Sequence, residues 1–496
     1  KWRLLELDAA GKEDGDVMGY EWPGPGVRRQ CVERWMNGGS EDISKRDSRE
    51  SCAWRLVPAL AWTMLFCVVG WLWWLRLRLK LWKAHIDMAH SGSYEEWCHK
   101  AHLVDRLEGN NRWKLEESSE ADDVDYELLR KRLRELRKLY LSGDTQGLLF
   151  LLRSGMNRQF AGLSSPKLYS VSLLGTRRTV EDYINVVAFL LEQISRHQKH
   201  SSEHNTLTFF NETRHAHGRT ALVLSGGAAM GVHHLGVVKA LLQQQLLPMV
   251  ISGTSAGSIV AALVCSLPTD QLREFFESDT LRHPHTGEPL AFNFFSEGGI
   301  QAVLRNLWTK GALHDVEYLA GQLRSLFGDI TFEQSFKLSG RILNVTVTPL
   351  QDPESPLLLN YLTAPHVLVW SAVTASCALP GVFAPVEVLC LDARGRRTAY
   401  HPRGSQWADG SIRSDVPLAR LGELFNVNHF IVSQVNAHFV LLRRNRLFQT
   451  RIAALIKAEV RLRYWQLLHL GLVPGVVRAL FPIFLQPYQG DVTITP

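Results

Sequence analysis

The sequence predicts an α/β protein: a three-layer α/β/α domain with a mostly parallel sheet, preceded by a helical N-terminal domain and a hydrophobic membrane-associating segment. Three observations support this prediction. From residue 219 onward, apolar runs such as ALVLS, MVIS, RILNVTVT and HFIVSQV alternate with helical segments, which is typical of a parallel sheet covered by helices. Residues 84–200 are helical in pattern, and residues 56–75 contain no charged side chain.

Composition restricts the classes of function that this chain can serve. With 496 residues the chain is too long for one ordinary core, so we expect two or three structural units. The balance of 55 Lys and Arg against 49 Asp and Glu gives a net charge of +6 without a dense basic stripe, so we expect no nucleic-acid partner. The seven cysteines form no C-x-x-C pair, which indicates a reducing compartment without a disulfide framework or zinc site.

The N-terminal part divides into a tail and an apolar segment. Residues 1–50 lack an apolar period and are predicted to be a disordered tail. Residues 51–83 contain the uncharged run LVPALAWTMLFCVVGWLWWL, which as a helix would be about 30 Å long, the hydrocarbon thickness of a bilayer. The tryptophans at its end are followed by the basic residues typical of a membrane-associating segment, Arg76, Arg78, Lys80 and Lys83. A crossing helix, a helix that only dips into the membrane and a buried core helix all remain open.

The predicted domains after this segment follow from changes in sequence pattern. Residues 84–200 form a helical N-terminal domain, and residues 201–218 are predicted to be a polar, histidine-rich linker. The α/β domain covers residues 219–440, and residues 441–496 form a C-terminal helical extension that is apolar and basic. One helix of the N-terminal domain is predicted to end at Gly143 and to bury a single apolar face, made of Leu129, Leu133, Leu136 and Tyr140.

The stretch VISGTSAGSIVAAL, residues 250–263, contains the G-x-S-x-G pattern of a nucleophile elbow. Its strand-like start and its continuation in small helical residues predict a sharp turn that exposes the hydroxyl of Ser255. Gly253 and Gly257 would permit this turn because they carry no Cβ atom. The helix N-terminus just after Ser255 would favour developing negative charge. Ser255 is therefore the candidate nucleophile.

A glycine-rich loop, Ser225-Gly226-Gly227-Ala228, follows an apolar strand upstream of this turn. Acyl transfer needs backbone N–H donors aimed at the tetrahedral oxyanion, so Gly226, Gly227 and Ala228 are candidate oxyanion-hole residues. The loop also has G-x-x-x-x-G spacing, but Val and His stand where a phosphate-binding loop requires Lys and Ser or Thr. A phosphate-binding loop is therefore rejected.

The stretch WADGSIRSDVP contains a third candidate element, Asp409-Gly410. An Asp-Gly pair by itself is typical of a plain turn. A carboxylate at Asp409 would nevertheless accept the proton of Ser255 directly if the fold brought the two within hydrogen-bond reach.

The order of these elements resembles the patatin-like phospholipase family, and most closely its triacylglycerol-lipase branch of plant oil-body and yeast lipid-droplet lipases. Longer stretches are similar as well, among them SYEEWCHKAHLVDRLEGNNRWK in the helical domain and LLNYLTAPHVLVWSAVTASCALPGVF in the α/β domain. The resemblance extends from about residue 90 to about residue 490. It implies a patatin-like fold, and we expect the natural protein to continue beyond this sequence.

By this resemblance the active site is a Ser–Asp dyad without histidine. Ser255 is then the nucleophile, Asp409 the proton acceptor, and Gly226, Gly227 and Ala228 the oxyanion hole. The resemblance further implies release of fatty acids from stored triacylglycerol through an acyl-enzyme, with no metal or organic cofactor. It places the protein at a lipid droplet or endoplasmic reticulum membrane, with the catalytic domain facing the cytosol.

Three positions depart from the family pattern D-G-G-G-x-R-G, because Ser225 replaces the aspartate, Ala228 the third glycine and Met230 the arginine. A catalytically inactive lipid-droplet scaffold is therefore one alternative. A phospholipase or transacylase that uses the same dyad on polar lipids is another. A third is an α/β-hydrolase with a Ser–Asp–His triad, for which His429 or His438 would supply the histidine, whereas His234 is expected to pack against the loop.

Overall fold

A computed structural model describes residues 59–196, 203–278, 282, 287, 312–350, 357–400, 406–412, 414–437, 439–440, 451–473, 486 and 488–496. The predicted tail, residues 1–50, and the start of the apolar segment lie outside the described residues. The described part divides into two compact units with the boundary between His217 and Gly218.

The N-terminal unit consists of helices, as the sequence predicts. They are α1 (Ala59–Ala89), α2 (Tyr94–Glu108), α3 (Asn110–Leu115), α4 (Ser119–Asp122), α5 (Tyr126–Ser142), α6 (Thr145–Gly155), α7 (Arg178–Arg196) and α8 (Glu203–His217). In α5, Leu129 and Leu136 are fully buried and Leu133 and Tyr140 pack against the same core, which confirms the predicted apolar face. The helix ends at Gly143 in the left-handed conformation, as expected for a C-cap.

Helix α8 occupies most of the interval that the sequence pattern assigned to a linker, residues 201–218. Phe209 has no exposed surface and belongs to the core of the N-terminal unit, and the polar residues Thr206 and Thr213 of the same helix are buried as well. One buried aromatic residue in a polar segment leaves too weak a periodicity to predict a helix. The linker therefore reduces to a short connection rather than a long polar segment.

Helix α1 contains most of the predicted membrane-associating segment. Its described tryptophans lie on the surface, since Trp71, Trp73 and Trp82 are 58%, 68% and 65% exposed. Within the described residues, none of the helices has both the length and the apolar character required to cross a membrane.

The second unit is built on a mostly parallel sheet. Its strands are β1 (Arg219–Leu224), β2 (Val250–Gly253), β3 (Ile342–Pro349), β4 (Leu357–Leu359), β7 (Trp407–Asp409), β8 (Val427–Ser433) and β9 (Val492–Ile494). The order is β4-β3-β2-β1-β8-β9, with β7 paired to β3. β5 (Leu389–Leu391) and β6 (Arg397–Ala399) form a separate hairpin. The four runs predicted as strands are β1, β2, β3 and β8, which lie side by side and pair in parallel.

Alternate residues of the central strands face two separate cores. Leu222 and Leu224 of β1 belong to one core, whereas Ala221 and Val223 belong to the other. The first core is covered mainly by α9 (His233–Gln243), α10 (Ala256–Ser266), α11 (Thr269–Glu277), α12 (Val316–Phe327), α13 (Phe332–Ser339) and α14 (Val369–Cys377). The second is covered by α15 (Leu418–Phe425). The unit therefore has the predicted three layers, with the sheet between helices.

The described residues after 440 contain a strand as well as a helix. Helix α16 (Arg451–His469) agrees with the predicted helical extension, but β9 follows it and pairs in parallel with β8. The sheet therefore continues to the end of this sequence. A strand of three residues is too short to produce a period-two pattern, which is why the sequence did not predict it.

Candidate active site

The G-x-S-x-G segment forms a tight connection between β2 and α10. Ser255 has φ 51° and ψ −127°, a strained conformation for a residue with a side chain, and it immediately precedes the helix. The two glycines are required by close packing. A Cβ atom on Gly253 would lie 2.4 Å from the carbonyl oxygen of Gly257, and one on Gly257 would lie 2.3 Å from that of Leu224. The predicted nucleophile-elbow geometry is thus present at Ser255.

Backbone groups on both sides of the Ser255 side chain are held by neighbouring hydroxyls. The Ser255 N–H donates to Oγ of Ser376 at 2.9 Å, and Ser376 in turn donates to the carbonyl of Thr346 at 2.8 Å. The Ser255 carbonyl accepts a hydrogen bond from Oγ of Ser258 at 2.6 Å. These contacts stabilise the strained turn and fix the backbone from which the Ser255 side chain projects.

The pairing of β3 brings Asp409 next to the turn. Val345 of β3 pairs with Gly253 of β2 on one side and with Leu359 of β4 on the other. Two residues further along, Val347 pairs with Leu357 of β4 and with Asp409 of β7. Strand β7 therefore lies on the same side of β3 as β2 and continues where β2 ends. Asp409 consequently reaches the turn that follows Gly253.

The Asp409 carboxyl is buried beside Ser255. Only 1% of the residue is exposed, and its Oδ1 accepts the N–H of Ser411 at 2.7 Å. Burial raises the pKa of Asp409 to about 6, although hydrogen bonds from the Ser411 backbone and from the Ser255 side chain act in the opposite direction. The two predicted dyad residues thus lie beside each other, and the carboxylate is a stronger base than an exposed aspartate.

The glycine-rich loop packs directly against the elbow. A Cβ atom on Gly226 would lie 3.4 Å from Cβ of Ser255, and one on Gly231 would lie 2.6 Å from Cβ of Ala256. Ala228 has φ 49°, so it is a second non-glycine residue with left-handed backbone at this site. The three predicted elements therefore meet at the carboxyl end of the parallel strands.

The structure corrects one predicted donor of the oxyanion hole. The N–H of Gly226 donates to Oδ1 of Asp415 at 2.7 Å and is not available to a substrate. Among the described residues, no hydrogen-bond acceptor is found for the N–H groups of Gly227 and Ala228. Spacing alone could not reveal this, because the competing carboxylate lies 189 residues away in sequence.

The histidines of the described residues do not form a triad with Ser255. His234 is fully buried, donates from Nε2 to the carbonyl of Ser225 at 2.9 Å and accepts at Nδ1 from Ser433 at 2.7 Å. Burial lowers its pKa to about 4, so it remains neutral and supports the loop. His429 pairs with Thr220 of β1, four residues before the end of that strand at Leu224. His429 is therefore about 13 Å along the sheet from the carboxyl end of β1, where the site lies. His438 lies outside the described residues.

Three polar residues of the site were not identified from the sequence. Asp415 lies in the stretch that contains Asp409, but its role depends on a contact with the distant loop. Ser376 and Gln486 have no sequence signature at all, and both act by hydrogen bonds to the backbone, to Ser255 and Asp415 respectively. In the described part of the chain, His, Cys, Asp and Glu residues form no group of three or more suited to a metal ion.

Each of the two units matches a known protein family. Residues 222–421 match the family described as patatin-like phospholipase, and residues 74–215 match a domain of unknown function, DUF3336. The first match contains Ser255, Asp409 and the glycine-rich loop, whereas the second covers most of the helical unit.

Curated relatives align with most of this chain. Triacylglycerol lipase SDP1L of Arabidopsis thaliana is 38% identical over 84% of this chain and 52% of its own length. Triacylglycerol lipase ptl3 of Schizosaccharomyces pombe is 36% identical over 83% of this chain and 86% of its own length. Triacylglycerol lipase 5 of Saccharomyces cerevisiae is 34% identical over 82% of this chain and 57% of its own. The chain thus spans about half the length of the first and third of these relatives.

Proposed function

The chain belongs to the patatin-like phospholipase family, as its motifs predict, and from this premise we propose that it is a serine ester hydrolase that releases fatty acids from triacylglycerol. The observation that supports this function best is the position of the buried carboxyl of Asp409 beside Ser255, which lies on a strained elbow. The substrate class follows from the relatives named as triacylglycerol lipases.

The reaction proceeds in two steps, formation of an acyl-enzyme and its hydrolysis. Asp409 accepts the proton of the Ser255 hydroxyl while Oγ attacks the acyl carbonyl, and the N–H groups of Gly227 and Ala228 donate to the oxyanion. Collapse of the tetrahedral intermediate breaks the ester bond, and the diacylglycerol alkoxide leaves with the proton from Asp409. Water then attacks the acyl-enzyme and gives its proton to the same carboxylate. The second tetrahedral intermediate collapses, the bond between the acyl carbon and Oγ breaks, and Oγ of Ser255 recovers the proton from Asp409 as the fatty acid is released.

A comparison of wild type with Ser255→Ala tests this assignment. We expect triolein hydrolysis to fall to the background rate in the variant, because the acyl-enzyme cannot form. A fluorophosphonate probe should label the wild type and fail to label Ser255→Ala. Absence of both hydrolysis and labelling in the folded wild type would instead favour a catalytically inactive scaffold.

The same preparation distinguishes the substrate classes. Products formed from triolein, phosphatidylcholine and lysophosphatidic acid with acyl-CoA separate a triacylglycerol lipase from a phospholipase and a transacylase. We expect diacylglycerol and free fatty acid from triolein to be the main products. Faster turnover of phosphatidylcholine would overturn the neutral-lipid assignment and leave the dyad intact.

We further propose that the protein binds a lipid-droplet or endoplasmic reticulum surface, with the catalytic domain facing the cytosol. The exposed Trp71, Trp73 and Trp82 of α1, close to a basic flank, support this proposal, because tryptophan prefers the interface between lipid and water.

Replacing the three tryptophans by alanine in the full chain should reduce flotation with triolein droplets coated by phosphatidylcholine. Phe150→Ala, a change at a residue 74% exposed elsewhere in the same unit, is the matched control. Equal flotation of both variants and wild type would contradict the role of α1.

A further inference from the structure

Asp415 lies at the centre of a buried hydrogen-bond network beside the candidate dyad. The residue has no exposed surface. Its Oδ1 accepts the N–H of Gly226 at 2.7 Å, and its Oδ2 accepts Nδ2 of Asn436 at 2.7 Å. A buried carboxylate with both oxygens hydrogen-bonded is held in one orientation, because release of either partner would leave a buried polar group unsatisfied.

The backbone of Asp415 is tied to the other two elements of the site. Its carbonyl accepts the hydroxyl of Thr254, the residue before Ser255, at 2.8 Å. Its N–H donates to Oε1 of Gln486 at 2.8 Å, and Nε2 of Gln486 donates to the carbonyl of Ser411, two residues after Asp409, at 2.9 Å. One residue is thus connected to the glycine-rich loop, to the nucleophile elbow and to the turn that carries the proton acceptor.

We propose that Asp415 is a positioning residue that holds the glycine-rich loop at a fixed distance from Ser255, so that Gly227 and Ala228 direct their N–H groups toward the oxyanion. The Gly226 N–H is used for this attachment. Because Gly227 follows directly, its own N–H direction depends on where Gly226 is fixed. Oxyanion donors must lie within a few tenths of an ångström of their best position, so a loosened loop reduces stabilisation of the transition state more than substrate binding. This inference rests on the proposed function.

An exchange of the two polar partners tests the proposal. In Asp415→Asn the new amide faces the Nδ2 group of Asn436, two donors compete, and the attachment of the loop weakens. We expect kcat on a soluble short-chain ester to fall about tenfold to 10²-fold with little change in KM. The double variant Asp415→Asn with Asn436→Asp restores a donor opposite an acceptor between these two side chains. Asn436 Nδ2 also donates to Oε1 of Gln434 at 3.1 Å, so the Gln434 amide must turn to face the new carboxylate, and a substantial part of the lost kcat should be recovered.

A second measurement separates positioning from a general loss of stability. An alkylboronic acid forms a tetrahedral adduct with a serine nucleophile and needs the oxyanion donors, whereas a non-hydrolysable ether analogue of the substrate does not. In Asp415→Asn the affinity for the boronic acid should fall in parallel with kcat, and the affinity for the ether should remain. Asp105→Asn is the control, since Asp105 is equally buried but all its partners lie in the N-terminal unit, and it should change neither affinity.

The outcomes distinguish this inference from the proposed function. If Ser255→Ala still hydrolyses the ester, both fail. If Ser255→Ala is inactive but Asp415→Asn keeps the wild-type kcat, or if the double variant regains thermal stability without regaining kcat, only the positioning role is refuted. Recovery of kcat in the double variant also excludes Asp415 as the proton acceptor, since position 415 then carries no carboxylate.

Discussion

At the scale of single residues, the buried carboxyl of Asp409 predicts how turnover depends on pH. A base acts only when ionised, and burial raises the pKa of Asp409 to about 6. We expect kcat/KM for a soluble ester, which reports ionisation of the free enzyme, to rise about tenfold per pH unit below about pH 6 and to level off above it. An exposed aspartate would give this transition about two units lower. A flat profile between about pH 4.5 and about pH 7 would contradict Asp409 as the proton acceptor.

The second prediction at this scale concerns the space around Gly227. A Cβ atom on Gly227 would lie 2.6 Å from Cγ2 of Val435 and 3.0 Å from its carbonyl oxygen, so the loop must shift to accept a side chain. Gly227→Ala should therefore lower kcat by about 10²-fold. Gly321→Ala in α12 is the matched control, because no atom lies within 4 Å of its added methyl group. The control should keep full activity, and an equal loss in both variants would show that the effect is not specific to the loop.

At the scale of elements, the sequence predicted best those segments whose signal is local. The turn at Ser255 was predictable because a buried strand, two glycines and a helix of small residues are contiguous. Strand β7 was not, because its three residues gain their position only by pairing with β3. Asp409 could be preferred over a plain turn residue only through the family resemblance, because an Asp-Gly pair alone is typical of a turn. The engagement of Gly226 by Asp415 was missed for a related reason, since the two residues meet only in the folded chain.

Helix α8 lies in the segment that the sequence pattern predicted as a linker, and a core substitution tests whether it is part of the folded unit. Phe209 has no exposed surface and stacks edge to face on Phe210, with ring centroids 5.2 Å apart. Phe209→Ala should destabilise the N-terminal unit by about 3–4 kcal/mol, which urea unfolding of the full chain would measure. Leu207→Ala on the same helix removes a side chain that is 63% exposed and should cost less than about 0.5 kcal/mol. An equally small loss of unfolding free energy in both variants would mean that α8 contributes no side chain to the core of the N-terminal unit.

At the scale of the whole molecule, the candidate site lowers the stability of the unit that contains it. Burial raises the pKa of Asp409 to about 6 and that of Asp415 to about 7, both above the ordinary value of 3.8. The folded chain therefore binds more protons than the unfolded chain between about pH 4 and about pH 7, and these two groups make unfolding easier as the pH rises through that range. His234 acts in the opposite direction, because burial lowers its pKa to about 4. A loss of folding stability of this kind is common where a protein keeps a buried charge for its function.

Asp409→Asn removes the charge of one carboxylate and, with it, the repulsion by which Asp409 raises the pKa of Asp415; both effects favour the folded variant. The amide carries no charge, so the variant should be more stable than wild type above about pH 7, by on the order of 2 kcal/mol, while it is inactive. The difference should shrink as the pH falls toward 4 and vanish below about pH 3, where Asp409 is protonated in the folded and unfolded chain alike. Asp105 supplies a control of opposite sign: burial alone raises its pKa, but hydrogen bonds led by that of Asn110 lower it to about 2. Asp105→Asn should therefore be less stable than wild type at both pH values. Urea unfolding at about pH 5 and about pH 8 measures all three proteins, and an Asp409→Asn variant less stable than wild type at the higher pH would refute a desolvated carboxylate at this site.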